Sequence, residues 1–354
     1  MVISDVRKEL KKRKSDAITL IIILLIVSFI LVIYSLSIST VKIGVLESFS
    51  IIINHISGVE PADYISYLKD RVVFEENGPR ALGALMAGAV LGISGAVLQN
   101  IIRNPLADPY TLGISSGALF GMVVCLTMGF SIIPFLTGLD AMVVNAFIFA
   151  LIPTAIVVVI STFKKVSPTM MILCGIAVMY IFNASTTMMK YTADPETFAE
   201  IFAWSIGSVS GLAWGSLVRL FIALLLVLIP MMIWHRHIDV IAQGDNQAIT
   251  LGINPNRLRI YCLIFTSLAT ALVVCYTGTI GFVGLVAPHI ARIKFGSNCK
   301  MLIPASAAIG ALMILGSDVV LRLINPTLPV GVMIALICTP FFIYILTRMN
   351  KKMW

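Results

Sequence analysis

Nine runs of about 20 apolar residues, most of them without a charge, divide this chain from Ala17 onward. In hydrocarbon every backbone N–H and C=O must be satisfied inside the segment, so runs of that length read as helices crossing a membrane. They are Ala17–Ile38, Ala81–Ile102, Leu112–Phe130, Ala141–Phe163, Thr169–Met189, Leu212–Trp234, Leu258–Thr277, Leu302–Leu321 and Val330–Leu346. A tenth candidate, Gly281–Ile293, is short and is interrupted by Gly284 and Pro288. Composition agrees: 12% of the residues are charged, against roughly 25% in a soluble domain.

Basic residues choose between the two topologies, because Lys and Arg accumulate on the cytoplasmic side. If the tenth segment crosses, 18 of the 25 basic residues fall on one side; if it does not, the division is 13 against 12. The expectation is therefore an all-α polytopic protein of the cell membrane, with ten transmembrane helices and both termini cytoplasmic. Residues 1–16 form a charged cytoplasmic tail and 17–348 the helical domain, whose first run is an uncleaved span. Segments 39–79 and 191–211 lie outside, and 235–259 is the longest inner loop. Pro195–Ile206 reads as a short helix at the outer membrane face, where Trp204 and Trp214 suit the interface. The short tenth span is expected to run past Ile293 or to tilt little.

Several function classes fall away. The net charge of +8 is distributed between apolar runs and shows no basic stretch interleaved with aromatics, so no nucleic-acid partner is expected. The six cysteines are scattered without a CxxC and read as small core residues. No metal site is expected: His235 and His237 flank a cation, Arg236, and His55 reads as a lone loop histidine. His289 reads as a buried histidine bonded to nearby backbone. There is no GxxxxGK[ST] or HExxH; the chain cannot cradle a nucleotide in a Walker loop, and an enzyme is not expected. An ion-coupled secondary transporter is the alternative, but it would be expected to show acidic groups near the midplane. Here Asp318 and Arg322 lie four apart near the end of a span, as a structural or docking pair.

Pro79 to Gly117 carries the most information. Gly83, Ala87, Gly88, Gly92 and Gly95 space small residues along one apolar run, a pattern for close helix approach. That run ends in a polar knot, Arg103-Asn104-Pro105-Leu106-Ala107-Asp108-Pro109, and another apolar run follows at once. Further blocks come later: Gly244-Asp245 with Leu251-Gly252 and Asn254 in the inner loop, Gly281-Phe282-Val283-Gly284-Leu285, Pro288-His289 and Arg292, Pro304-Ala305-Ser306, Leu328-Pro329-Val330-Gly331, and Pro340-Phe341-Phe342. The stretch Gly244–Pro255 reads as a short helix stopped by Gly252 and followed by a turn.

These blocks, in this order, resemble the iron-siderophore and cobalamin importer permeases, the membrane subunits of type II ABC importers, from about Asp70 to Leu346. The resemblance implies a permease that imports an iron-siderophore, haem or cobalamin-type substrate by alternating access. It implies a second permease subunit (a second copy or a paralogue), a dimer of ATP-binding cassette ATPases inside that binds ATP and Mg, and an extracytoplasmic substrate-binding protein. No cofactor is expected on this chain. Gly244, Asp245, Leu251, Gly252 and Asn254 would belong to the ATPase-coupling loop. Asn104, Pro105, Asp108 and Pro109 would form a rigid cytoplasmic turn. Arg80 and Arg322 would dock the binding protein. Asn183, Thr186, Thr187 and Met188 would line the path. Asn77 stands where relatives usually have another arginine, and Thr327 where they usually have an acidic residue.

Overall fold

The computed structural model describes residues 2–39, 41–163, 167–325 and 328–348. Thr327 and four of the basic residues counted to the inner side (Lys164, Lys165, Lys351 and Lys352) lie outside them. Among the described residues there is no strand, and all ten apolar segments are helical or largely so.

The helices are α1 (Val2–Ser37), α2 (Val45–Ile56), α3 (Tyr64–Asp70), α4 (Gly78–Ile102), α5 (Ile114–Met128), α6 (Gly138–Phe163), α7 (Pro168–Thr192) and α8 (Pro195–Ile206). They continue as α9 (Trp214–Ile233), α10 (His235–Gln243), α11 (Asp245–Thr250), α12 (Pro255–Thr277), α13 (Val283–Phe295), α14 (Cys299–Ile324) and α15 (Val330–Arg348). Among the described residues seven helical stretches are long and apolar enough to cross a membrane, and α5 and the Val330–Tyr344 part of α15 are shorter apolar helices. The remaining helix, α13, has 13 residues, about 20 Å at 1.5 Å per residue. It ends at Phe295, two residues past the expected limit, and starts only at Val283, because Gly278 and Phe282 hold left-handed backbone angles that stop a helix from forming across them.

The segment 39–79 is more ordered than a loop. α2 puts His55 in its last turn, where the ring stacks on Phe74 at 3.7 Å and Nδ1 lies 2.9 Å from Asp70 Oδ2. α3, a π-helical stretch (Arg71–Asn77) and α4 run on without a break, so the α4 helix begins far ahead of Ala81. A polar sequence hides this continuation: Asp70, Glu75 and Glu76 read as loop, although Arg71 and Glu75 pair along the helix at 3.3 Å.

α4 is the axis of the subunit. Most of its residues are buried, on all sides rather than along one stripe, as expected of a helix surrounded by others. Its neighbours are α14, α13, α9 and α12. Against α14 the approach is backbone to backbone. A Cβ on Gly88 would overlap the carbonyl of Gly310, and one on Gly310 would overlap the carbonyl of Gly88. Gly95 meets the Gly284 carbonyl of α13 in the same way, and Gly92 meets that of Ser306. The spaced glycines therefore serve tight association, as the sequence predicts. Outward-facing Phe29, Phe221, Ile229 and Leu336 stay exposed, as lipid-facing residues would. Cys262, Cys275, Cys299 and Cys338 are buried core residues.

These contacts give a sharp contrast. Gly88→Ala should lower the thermal unfolding midpoint in detergent, with an overpacking cost of about 1–3 kcal/mol. Gly316→Ala on the neighbouring helix, where nothing would meet the new methyl, should leave it unchanged or raise it slightly, since Ala exceeds Gly in helix preference by about 1 kcal/mol. Equal midpoints for the two variants would contradict the assignment of α4 as the close-packed axis.

Candidate functional site

Helix directions bring chemistry to the two ends of the bundle. At one end lie the close of α4, α10, α11 and the start of α12. Arg103 ends α4 at φ 55° and ψ 40°, a left-handed cap that usually falls to glycine. Asn104 then organises the turn: its N–H donates to Gln99 O at 3.1 Å, its carbonyl accepts from Ala107 N–H at 3.1 Å, and its Oδ1 accepts from Leu106 N–H at 2.9 Å. Pro105 cannot continue a helix. Asp108 caps the 3₁₀ turn Pro109–Leu112 and accepts from Tyr110 N–H at 3.3 Å. The turn folds back into the protein, so Asp108 and Pro109 are buried, Leu112 touches Gly175 of α7, and the Asp108 carboxylate faces Gly284. Burial pushes the Asp108 carboxyl up to about 6, against the opposing bond from Tyr110 N–H.

The loop 235–259 is two short helices joined at Gly244, whose φ of 137° is a glycine conformation. Asp245 opens α11, which ends at Thr250 before the left-handed Gly252. Asn254 caps α12, its Oδ1 accepting from Arg257 N–H at 3.1 Å. Leu251 and Ile249 are exposed at 68% and 62%. The Asp245 carboxylate takes both Nη2 and Nη1 of Arg259, at 2.5 and 2.8 Å, and Arg103 approaches at 3.4 Å. Hydrogen bonding to Arg259 is the main reason its carboxyl sits below the usual range; partial burial opposes it, and the charges of Arg259 and Arg103 add to it.

Deeper at this end lies a second polar group. Arg292 of α13 donates from Nη1 to Gln99 Oε1 at 2.8 Å and from Nη2 to Asn100 Oδ1 at 3.3 Å. Asp239 of α10 accepts from Cys299 N–H at 2.8 Å and so fixes α10 to the start of α14. A cleft of about 780 Å³ opens between Gln99, Arg103, Asp239, Gln243 and Asn298. His289 is buried with Nδ1 2.6 Å from Leu285 O, the backbone partner expected of it.

At the other end Arg80 forms a fork with Asp318: Nε and Nη2 lie 3.0 and 2.7 Å from Oδ1. Arg322 is 8% exposed. It donates from Nη1 to Ser35 Oγ at 3.0 Å, from Nη2 to Asn77 Oδ1 at 2.5 Å, and from Nη2 to the Ile38 carbonyl. The Arg322–Asp318 separation is 3.9 Å, so Asp318 belongs mainly to Arg80 rather than to its neighbour along the helix. Asn77 donates in turn to Leu36 O and Ile38 O at 2.9 and 3.1 Å. Of the two arginines expected at an outward docking face, Arg322 is thus held inside the chain, while Arg80 gives Nε and Nη2 to Asp318 and keeps a side chain that is 13% exposed. Sequence spacing sees only the 318–322 pair, because the remaining partners are far away in the chain.

Of the four residues expected along a path, Asn183, Thr187 and Met188 are exposed on α7. Thr186 is buried, in the stripe of α7 that holds Gly175, Val178 and Phe182. The residues that sequence reasoning passed over are Arg103 and Arg259. Their signals were a non-glycine residue at a helix stop and a charge just inside an apolar run.

Residues 23–348 match the FecCD transport family. Over 356 aligned residues the chain is 33% identical to a protein named as an ABC transporter permease in Methanocaldococcus jannaschii, covering 98% of this chain and 99% of that one. It is 39% identical to the Fe(3+)-citrate import system permease protein of Bacillus subtilis, across 77% of this chain and 81% of that protein. Among solved structures it resembles a chain described as part of a metal-chelate type ABC transporter in an inward-facing conformation, with a TM-score of 0.81 and 27% identity over 94% of this chain and 99% of that one.

Asp108 yields a signed pH dependence. Its carboxyl binds a proton more tightly folded, at about 6, than unfolded near 3.8, so stability falls as pH rises through that window and the penalty is complete above it. Asp108→Asn keeps an acceptor for Tyr110 N–H and removes the buried charge. It should raise the thermal midpoint at pH 8, by an amount on the order of 2–3 kcal/mol, and the gain should vanish near pH 4. A lower midpoint at pH 8 would contradict the burial argument.

Proposed function

This chain belongs to the FecCD transport family, and from that premise we propose that it is the membrane-spanning permease of an ATP-driven importer for iron-siderophore, haem or cobalamin-type substrates. The observation that carries this is the family match from residue 23 to 348, which takes in both ends of the bundle and every long helix between them. The permease crosses the cell membrane ten times, with both termini in the cytoplasm. Helix directions support this topology: the short α13 returns the chain from the side of α8 to the side of α10 and α14, so all ten segments are needed to connect the two ends.

The α11 end then faces the cytoplasm. Gly244, Asp245, Leu251, Gly252 and Asn254 form the surface on which a partner ATPase dimer sits, with Ile249 and Leu251 as its exposed apolar grip. ATP and Mg are bound by that partner. The turn Asn104–Pro109 stiffens the same end. Asn183, Thr187 and Met188 face the path between this subunit and a second permease, a second copy or a paralogue; Thr186 supports α7 from behind. At the outer end Arg322 ties helices together. Arg80, whose side chain keeps 13% of its exposure, is the arginine still able to meet an acidic residue of an extracytoplasmic substrate-binding protein. Alternating access follows from closure of the ATPase dimer, and this chain performs no covalent chemistry.

The test is assembly with the ABC-type ATPase encoded beside it. The two should copurify, and ATP hydrolysis should rise when the binding protein is added. Leu251→Asp, which puts a charge on the apolar grip without touching the core, should weaken copurification. If the wild type neither binds nor stimulates the ATPase, the assignment fails.

A further inference from the structure

Three elements converge on one carboxylate. Arg259, in the second turn of α12, has a side chain that is 3% exposed. Two of its nitrogens hold Asp245 of α11, and its Nε donates to Ile101 O in the last turn of α4 at 2.8 Å. A single guanidinium therefore fastens α11, α12 and α4 together. Such forked, charge-assisted contacts fix direction as well as distance.

Arg103 adds a second fastening from α4, and its backbone gives the reason to notice it. Left-handed angles are unfavourable for a residue with a Cβ, and a helix stop of this kind usually takes glycine. Here the position holds arginine, whose Nη2 lies 3.4 Å from Asp245 Oδ1. The strain is kept where a side chain is needed to reach α11. Gly244 complements it: a side chain there would lie toward Arg103 Nη1, and its φ of 137° sets the turn from α10 into α11. α4 in turn touches α14 and α13 backbone to backbone at the Gly88–Gly310 and Gly95–Gly284 contacts.

We propose that Asp245, gripped by Arg259 and Arg103, is the mechanical joint that passes displacement of α11 into α4 and α12. This rests on α11 being the ATPase-docking surface. Asp245, Arg259 and Arg103 act in it as positioning residues.

The experiment uses the complete complex in proteoliposomes, with uptake and ATP hydrolysis measured together on wild type, Arg103→Gly and Asp245→Asn, and thermal midpoints recorded in parallel. Arg103→Gly relieves the left-handed strain, so a purely structural residue would give an equal or higher midpoint and unchanged transport per ATP. The joint predicts an equal or higher midpoint together with a loss of about five-fold or more in substrate moved per ATP, the lower range of measured coupling between sites. Asp245→Asn should show the same loss in substrate moved per ATP. Wild-type ratios in both variants would overturn the joint while leaving the docking assignment standing. A wild type that does not bind the ATPase would overturn the docking assignment and the joint with it.

Discussion

The contact on which the rest of the subunit depends is the backbone-to-backbone approach of α4 to α14 and α13. Lipid is as apolar as leucine, so burying hydrophobic surface gives little drive for helices to associate; close van der Waals contact supplies much of it. Gly88 against Gly310, and Gly95 against Gly284, let the axes come together where any side chain would collide with a carbonyl. α13 is too short to hold its place by length, and its contact with Gly95 seats it beside α4.

Polar chemistry is confined to the ends of this apolar frame. From α4 onward, the charged side chains of the long helices lie within about two turns of a helix end. One end is closed by Arg80, Asp318, Arg322, Asn77 and Ser35; the other is organised by Asp245, Arg259, Arg103, Gln99 and Arg292. A buried charge without a partner would cost several kcal/mol, and these clusters share partners among segments distant in sequence. The result is a rigid middle and two structured faces. That arrangement suits a subunit driven from outside the membrane better than one carrying its own titrating group at the midplane.

Most of the frame is legible in the sequence. Ten apolar segments, the small helix Pro195–Ile206 and the glycine spacing all correspond to structure, because length, caps and small-residue periodicity are local properties. The misreadings arise where tertiary partners decide. Tyr64–Asn77 is charged enough to read as loop, yet it is helical because it continues α4 and packs Phe74 on His55 and Trp214. The inner partners of Arg80 and Arg322 are hidden from sequence spacing, because Asp318, Asn77 and the α1 carbonyls are more than two hundred residues away in the chain.

Energy source is the point on which the whole account turns. Proteoliposomes containing the permease with its ATPase, and binding protein on the outside, should accumulate a ferric chelate, haem or corrinoid only when ATP is sealed inside. Accumulation by the permease alone, driven by a proton or sodium gradient without ATP, would contradict it.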